Sequence, residues 1–101
     1  MYYAIYCIDH NDSREKRRSV RQAHLQRLLE LEKEDRLLIA GPLLQKDHDE
    51  NMTFGATGSL IVAEFNDLET AKVWAAADPY VTADVYERVT ILPFKKILPN
   101  E

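Results

Sequence analysis

A single cysteine, three glycines and four prolines in 101 residues leave little room for several kinds of protein. One thiol, Cys7, cannot form an internal disulfide, and neither zinc-type nor redox-type cysteine spacing is present. No apolar run approaches the ~20 residues that cross a bilayer. The N-terminus has no basic segment followed by an apolar run and a cleavage site, so a cytoplasmic location with no membrane partner is expected. Basic residues are also outnumbered. The net charge of −4 lacks the positive footprint of a general nucleic-acid binder. Repeats, linkers and low-complexity segments are absent, and the chain reads as one domain over residues 1–101.

What is present is an ordinary globular composition, 46% hydrophobic and 30% charged, enough for one core of modest size. Tyr2 to Ile8 reads as a strand rich in aromatic and β-branched residues and apolar on both faces. Asp12 followed by Glu15 predicts a capping box for a long amphipathic helix ending near Glu34. At about 100° per residue, Val20, His24, Leu28 and Leu31 fall in one narrow arc, so His24 lies in the middle of the apolar stripe. Leu37 to Pro42 reads as a second strand ended by Gly41-Pro42, and Lys46 to Met52 as an acidic loop with His48 exposed. Ser59 to Phe65 gives a third strand. Asn66, Asp67, Leu68 and Glu69 open a second helix running to about Ala77, with cap and capping-box residues in place. Val85 to Phe94 closes the chain as a fourth strand, with Pro93 placing its end near a sheet edge.

This order predicts an α+β fold of the ferredoxin-like, βαββαβ kind, an antiparallel sheet with two helices on one face. Two helices leave the other sheet face open, although strands one to three are apolar on that side too. An open apolar face of this size marks an interface, and a homodimer with sheets packed face to face is expected.

The residues able to carry chemistry cluster around His24. Arg17 and Arg21 lie one to two turns N-terminal to it, with Arg14, Lys16 and Arg18 crowding the same turns, where cations oppose the positive end of the helix dipole. A charge run is by default a solvated face, but guanidinium groups flanking an inward histidine can hold an anionic ligand. Pro79 disfavours α geometry at Asp78, which predicts a helix end with the carboxylate on a rigid turn and a basic group opposite it. Asp-Pro is a common turn by itself. Should Asp78 reach His24, it orients the imidazole, fixes its tautomer and raises its basicity, making an acid/base pair. Tyr80 and Ser59 are assigned to ligand contact. Ser59 as a nucleophile lacks nucleophile-elbow spacing, and Gly55 with Gly58 do not make a phosphate loop. His10 has no metal-ligand pattern around it, and neither a metal nor an organic cofactor is expected.

Several separated motifs resemble one family. Ser13-x-x-Lys16-Arg17-x-Ser19-Val20-Arg21-x-x-His24-Leu25, Arg36-Leu37-Leu38-x-Ala40-Gly41-Pro42, Thr57-Gly58-Ser59, Trp74-x-x-x-Asp78-Pro79-Tyr80 and Pro93-Phe94-Lys95-Lys96 are similar to the YciI-like, or YCII-related, proteins across essentially the whole chain. The resemblance implies a ferredoxin-like fold of the dimeric α+β barrel group, with a pocket centred on a histidine and an aspartate at His24 and Asp78. Related barrels include isomerases, dehalogenating or eliminating enzymes and oxygenases of small aromatic or lactone substrates. The expected function is therefore acid/base chemistry by His24 and Asp78 on a small anionic metabolite held by Arg17 or Arg21. Phosphoryl transfer through a phosphorylated His24 and a non-catalytic ligand-binding or interaction module are the alternatives.

Overall fold

The computed structural model describes residues 1–100. β1 (Tyr2–Asp9), α1 (Arg14–Lys33), β2 (Leu37–Leu44), β3 (Ala56–Glu64), α2 (Leu68–Ala76), α3 (Pro79–Thr82) and β4 (Tyr86–Phe94) follow in that order. The four strands make one antiparallel sheet in the order β2-β3-β1-β4. This is the ferredoxin-like arrangement expected from the alternation of patterns, with one helix more than the sequence periodicity marks. No helix is long and apolar enough to cross a membrane among the described residues.

Alternation along β1 sends Tyr3, Ile5, Cys7 and Asp9 to the helix side, where all four are buried. Tyr3, Ile5 and Cys7 share one core cluster with Ile61 and Ala63 of β3, Val85, and Leu28 and Leu31 of α1. Ala71 and Ala75 are buried on α2, and their small side chains let that helix approach β1 and β4 closely. α1 packs against β2 and α3. The opposite sheet face keeps apolar side chains in contact with solvent: Tyr6 is 46% exposed and Leu92 60%.

Local signals fared unevenly. Asp67 caps α2 as its position indicated, accepting from the Thr70 amide at 2.8 Å. The capping box expected from Asp12 and Glu15 does not form. Asp12 has φ 60°, the N-cap is Ser13, and no side chain caps this end. The Ser13 hydroxyl instead donates to Asp9 at 2.6 Å, and Glu15 pairs with Arg18 at 2.7 Å. With its left-handed φ, Asp12 stands outside the N-cap position, and the Ser13 hydroxyl serves the buried Asp9 carboxylate, which would cost more left unpaired than a helix end in contact with water. β2 also runs past Gly41-Pro42 to Leu44. It is an edge strand, where proline's missing N–H leaves no gap in an interior ladder. The stretch read as one helix end at Asp78 is a break between α2 and α3.

Burial pushes the Cys7 thiol up to about 12. An unfolded cysteine ionises near pH 8.5, so the protonated fold is favoured equally at all lower pH and loses stability as pH rises from about 8.5 toward 12. We expect iodoacetamide at pH 8 to spare the native protein and to label Cys7 readily in urea, measured by mass spectrometry. Comparable labelling rates in the two states would contradict this burial.

Candidate active site

Pro79 supplies the first turn of α3 with a fixed φ and no N–H to satisfy, and it holds Asp78 extended at φ −65°, ψ 134° as the N-cap. The carboxylate therefore faces the positive end of a short helix and not only the negative end of α2. Its Oδ1 accepts from the Tyr80 amide at 2.8 Å. Asp78 is 2% exposed.

His24 comes down from the apolar stripe of α1 onto this carboxylate. Its Nδ1 lies 2.8 Å from Oδ1 and 3.0 Å from Oδ2. A carboxylate only accepts, so Nδ1 carries the proton and Nε2 of the neutral ring presents its lone pair. The ring stacks on Tyr80 with centroids 3.8 Å apart and planes inclined by 10°. Tyr80 in turn meets Tyr86 edge-on at 5.6 Å. Packing on one side and a two-oxygen acceptor on the other leave the imidazole little freedom to rotate.

The structure brings Arg17 and Ser59 into direct contact and pairs Arg17 with Asp9, a residue that sequence reasoning passed over. Arg17 donates through Nε and Nη2 to the two oxygens of Asp9, at 2.7 and 3.0 Å. Nη2 also donates to the Gly58 carbonyl at 2.8 Å and to Ser59 Oγ at 3.0 Å. Burial works against this charge, but the hydrogen bonds and charge of Asp9 outweigh it and hold the Arg17 pKa above its ordinary value. The guanidinium also lies 4.9 Å from the Tyr80 ring centre. Burial raises the pKa of the Tyr80 phenol, with the charges of Arg17 and Arg21 pulling the other way. Gly58 is required where it stands, because a Cβ there would run into the Cys7 carbonyl of the neighbouring strand.

Arg27, one turn beyond His24, is the second residue that the sequence reading omitted. It donates to the Trp74 carbonyl at 2.8 Å, lies 4.4 Å from a Trp74 ring centre and brings Nη1 to 3.8 Å from Asp78 Oδ2. Asp78 thus faces both an imidazole and a guanidinium. Both omissions had a signal. Asp9 shares the inward parity of Tyr3, Ile5 and Cys7, and Arg27 sits three residues from His24 on the same helix.

His24 and Tyr80 open onto a cleft of about 460 Å³ between α1, the β2–β3 half of the sheet and the loop leading into β3. Arg14, Arg17, Arg18 and Arg21 line its α1 wall, with Ser59 and Ile61 on the sheet. His10 lies apart, paired with Asp84 at 3.1 Å, and His48 is on the surface beside Asp47. No group of three or more His, Cys, Asp or Glu side chains is placed to hold a metal ion among the described residues. The arrangement can bind a small molecule and move a proton at His24 Nε2.

The chain is 55% identical to protein YciI of Escherichia coli O6:H1 over 97 residues, covering 96% of this chain and 99% of that protein. A protein of Haemophilus influenzae is 48% identical over the same extent. Among solved structures, 5-chloro-2-hydroxyhydroquinone dehydrochlorinase from Burkholderia phenoliruptrix, in complex with 2,5-dihydroxybenzoquinone, superimposes with a TM-score of 0.87. That match covers 100% of both chains at 23% identity, which establishes the shared fold. The sequence profile of the YCII-related domain matches residues 1–95, and with these relatives it shows that the chain belongs to the YCII-related family.

Proposed function

We propose that this protein is a small-molecule enzyme in which His24 is the general acid/base and Asp78 orients it. The observation that carries this reading is the Nδ1 contact to both Asp78 oxygens, 2.8 and 3.0 Å, on a ring that lines the cleft. Nε2 takes a proton from an acidic C–H or O–H of the ligand, and the electron pair left behind moves into the ligand. Asp78 stabilises the imidazolium formed. Returning the proton to a different atom completes an isomerisation, while departure of a leaving group completes an elimination. The neighbour named a dehydrochlorinase supports small-molecule chemistry on this fold. Arg17 is committed to Asp9, so the anion-holding role goes to Arg21, with Tyr80 and Ser59 on the cleft wall as ligand contacts.

The same reading includes a homodimer. Register places Ile39, Val62, Ala4 and Leu92 in one row across the open sheet face, where Ile39 is 53% exposed and Leu92 60%. A second copy offers the same row, so one isologous contact covers both faces, at roughly 25 cal/mol per Å² of apolar surface buried.

His24→Ala is expected to lower turnover by about 10²–10⁴-fold, the range of positioned acid/base catalysis, while ligand affinity stays within about tenfold. A binding module would lose affinity and have no turnover to lose. Asp78→Asn keeps the shape but offers Nδ1 an amide that can donate as well as accept. Nitrogen-15 shifts of the His24 ring should therefore report one tautomer in the wild type and a mixture in the variant. Identical ring spectra would reduce Asp78 to a turn residue. For the dimer, light scattering at micromolar concentration should give twice the chain mass of 11.7 kDa, and a monomer mass would refute the sheet-to-sheet contact.

A further inference from the structure

Positive charge along the cleft wall is balanced unevenly. Arg17 is neutralised by Asp9, and Arg18 pairs with Glu15. Arg14 donates only to the neutral Thr53 carbonyl, at 2.7 Å. Arg21 has no hydrogen bond or ion pair among the described residues. No carboxylate lines the cleft, so nothing on its wall answers the Arg21 charge. Arg14 and Arg17 also sit in the first turn of α1, where the helix dipole disfavours cations. An anion in the cleft relieves both penalties.

The cleft changes character along its length. Arg21 lies one turn before His24, and Leu25 and Leu28 lie on the other side of it, with Ala40 and Ile61 of the sheet also lining the cleft. At about 1.5 Å rise per residue, Arg21 and His24 are offset by roughly 4.5 Å along the helix. We propose that the ligand is a small amphiphilic monocarboxylate whose carboxylate is held by Arg21 and whose apolar body lies over Leu25, Leu28 and Ile61. The atom beside His24 Nε2 is then the α-carbon, one bond from the carboxylate carbon. The location of the reacting atom rests on the acid/base reading above; the binding mode does not. When Nε2 takes a proton from that carbon, the C–H bond breaks, its electron pair passes toward the carboxylate as an enediolate, and Arg21 stabilises the added charge. The proton on Nε2 is then returned to the ligand. Arg14 is tethered to the Thr53 carbonyl, whereas the Arg21 guanidinium is left to present the two-donor fork that a carboxylate accepts.

The test is a nitrogen-15 NMR titration of the full chain with acetate, 3-phenylpropanoate, benzyl alcohol and inorganic phosphate. Expected are saturable shifts at Arg21, His24 and Leu28, with 3-phenylpropanoate binding at least tenfold tighter than acetate and tighter than phosphate. Arg21→Gln should weaken both carboxylates about tenfold, as loss of one charge-assisted contact does, and leave benzyl alcohol unchanged. Arg18→Gln should behave as wild type. Equal weakening in both variants, unchanged carboxylate affinity in Arg21→Gln, tighter phosphate binding, or no saturable shifts in the cleft would each overturn the proposal. Exchange of the 3-phenylpropanoate α-hydrogens for deuterium separates the two readings. Arg21-dependent binding with no exchange dependent on His24 removes the acid/base role and keeps the carboxylate site, and exchange that ignores Arg21→Gln does the reverse.

Discussion

The Asp78 carboxylate is the charge around which the helix side of the fold is arranged. It is nearly inaccessible to water, and a lone buried carboxylate costs several kcal/mol. The fold meets that cost with the Tyr80 amide at the start of α3, His24 Nδ1 and the Arg27 guanidinium nearby. Each partner comes with a structural commitment. The amide requires a helix to begin immediately after Asp78, which Pro79 arranges. His24 requires α1 to lie over α3 at one rotation about its own axis, and Arg27 ties that helix to the end of α2 through the Trp74 carbonyl. Removing one partner of such a buried pair costs on the order of 3–5 kcal/mol, so helix placement and site geometry are one constraint.

Asp9 and Arg17 make a second buried pair at the other end of the cleft, with the same logic and a different outcome. Arg17 reaches Asp9 through two donors, and the Gly58 carbonyl and Ser59 hydroxyl also accept from it. That saturation locks α1 to the tops of β1 and β3. It also matches the Arg17 charge within the protein, unlike that of Arg21. Tyr80 lies against both centres, stacked on His24 and under the Arg17 guanidinium. The aromatic ring thus joins two buried hydrogen-bonded pairs, Arg17 with Asp9 and His24 with Asp78, whose side chains contact solvent only slightly.

The fold was legible in the order of hydrophobic patterns, and His24 in its place within the apolar stripe of α1. Asp78 was legible through Pro79, which forbids the helix to continue across it. α3 was not, since four residues carry no periodicity, although a proline at its first position is a start signal. The capping box at Asp12 failed because an isolated spacing does not fix the backbone, which turns left-handed at Asp12 and starts the helix after Ser13. Arg17 and Arg21 read alike in the sequence, both being arginines near an inward histidine. They differ only because one of them faces the buried end of β1.

Periodicity, proline geometry and side-chain chemistry are properties of neighbouring residues, so the sequence by itself determined the elements, their order, the inward face of α1 and the extended backbone at Asp78. Contact between His24 and Asp78, 54 positions apart, was decided by the tertiary structure, as were the pairing of Arg17 with Asp9 and the isolation of Arg21. Those outcomes depend on how α1 is rotated and seated over the sheet. That rotation follows from the summed burial of Leu28, Leu31 and the side chains beneath them together with the pairing of two buried carboxylates, and no local stretch of the chain encodes that sum.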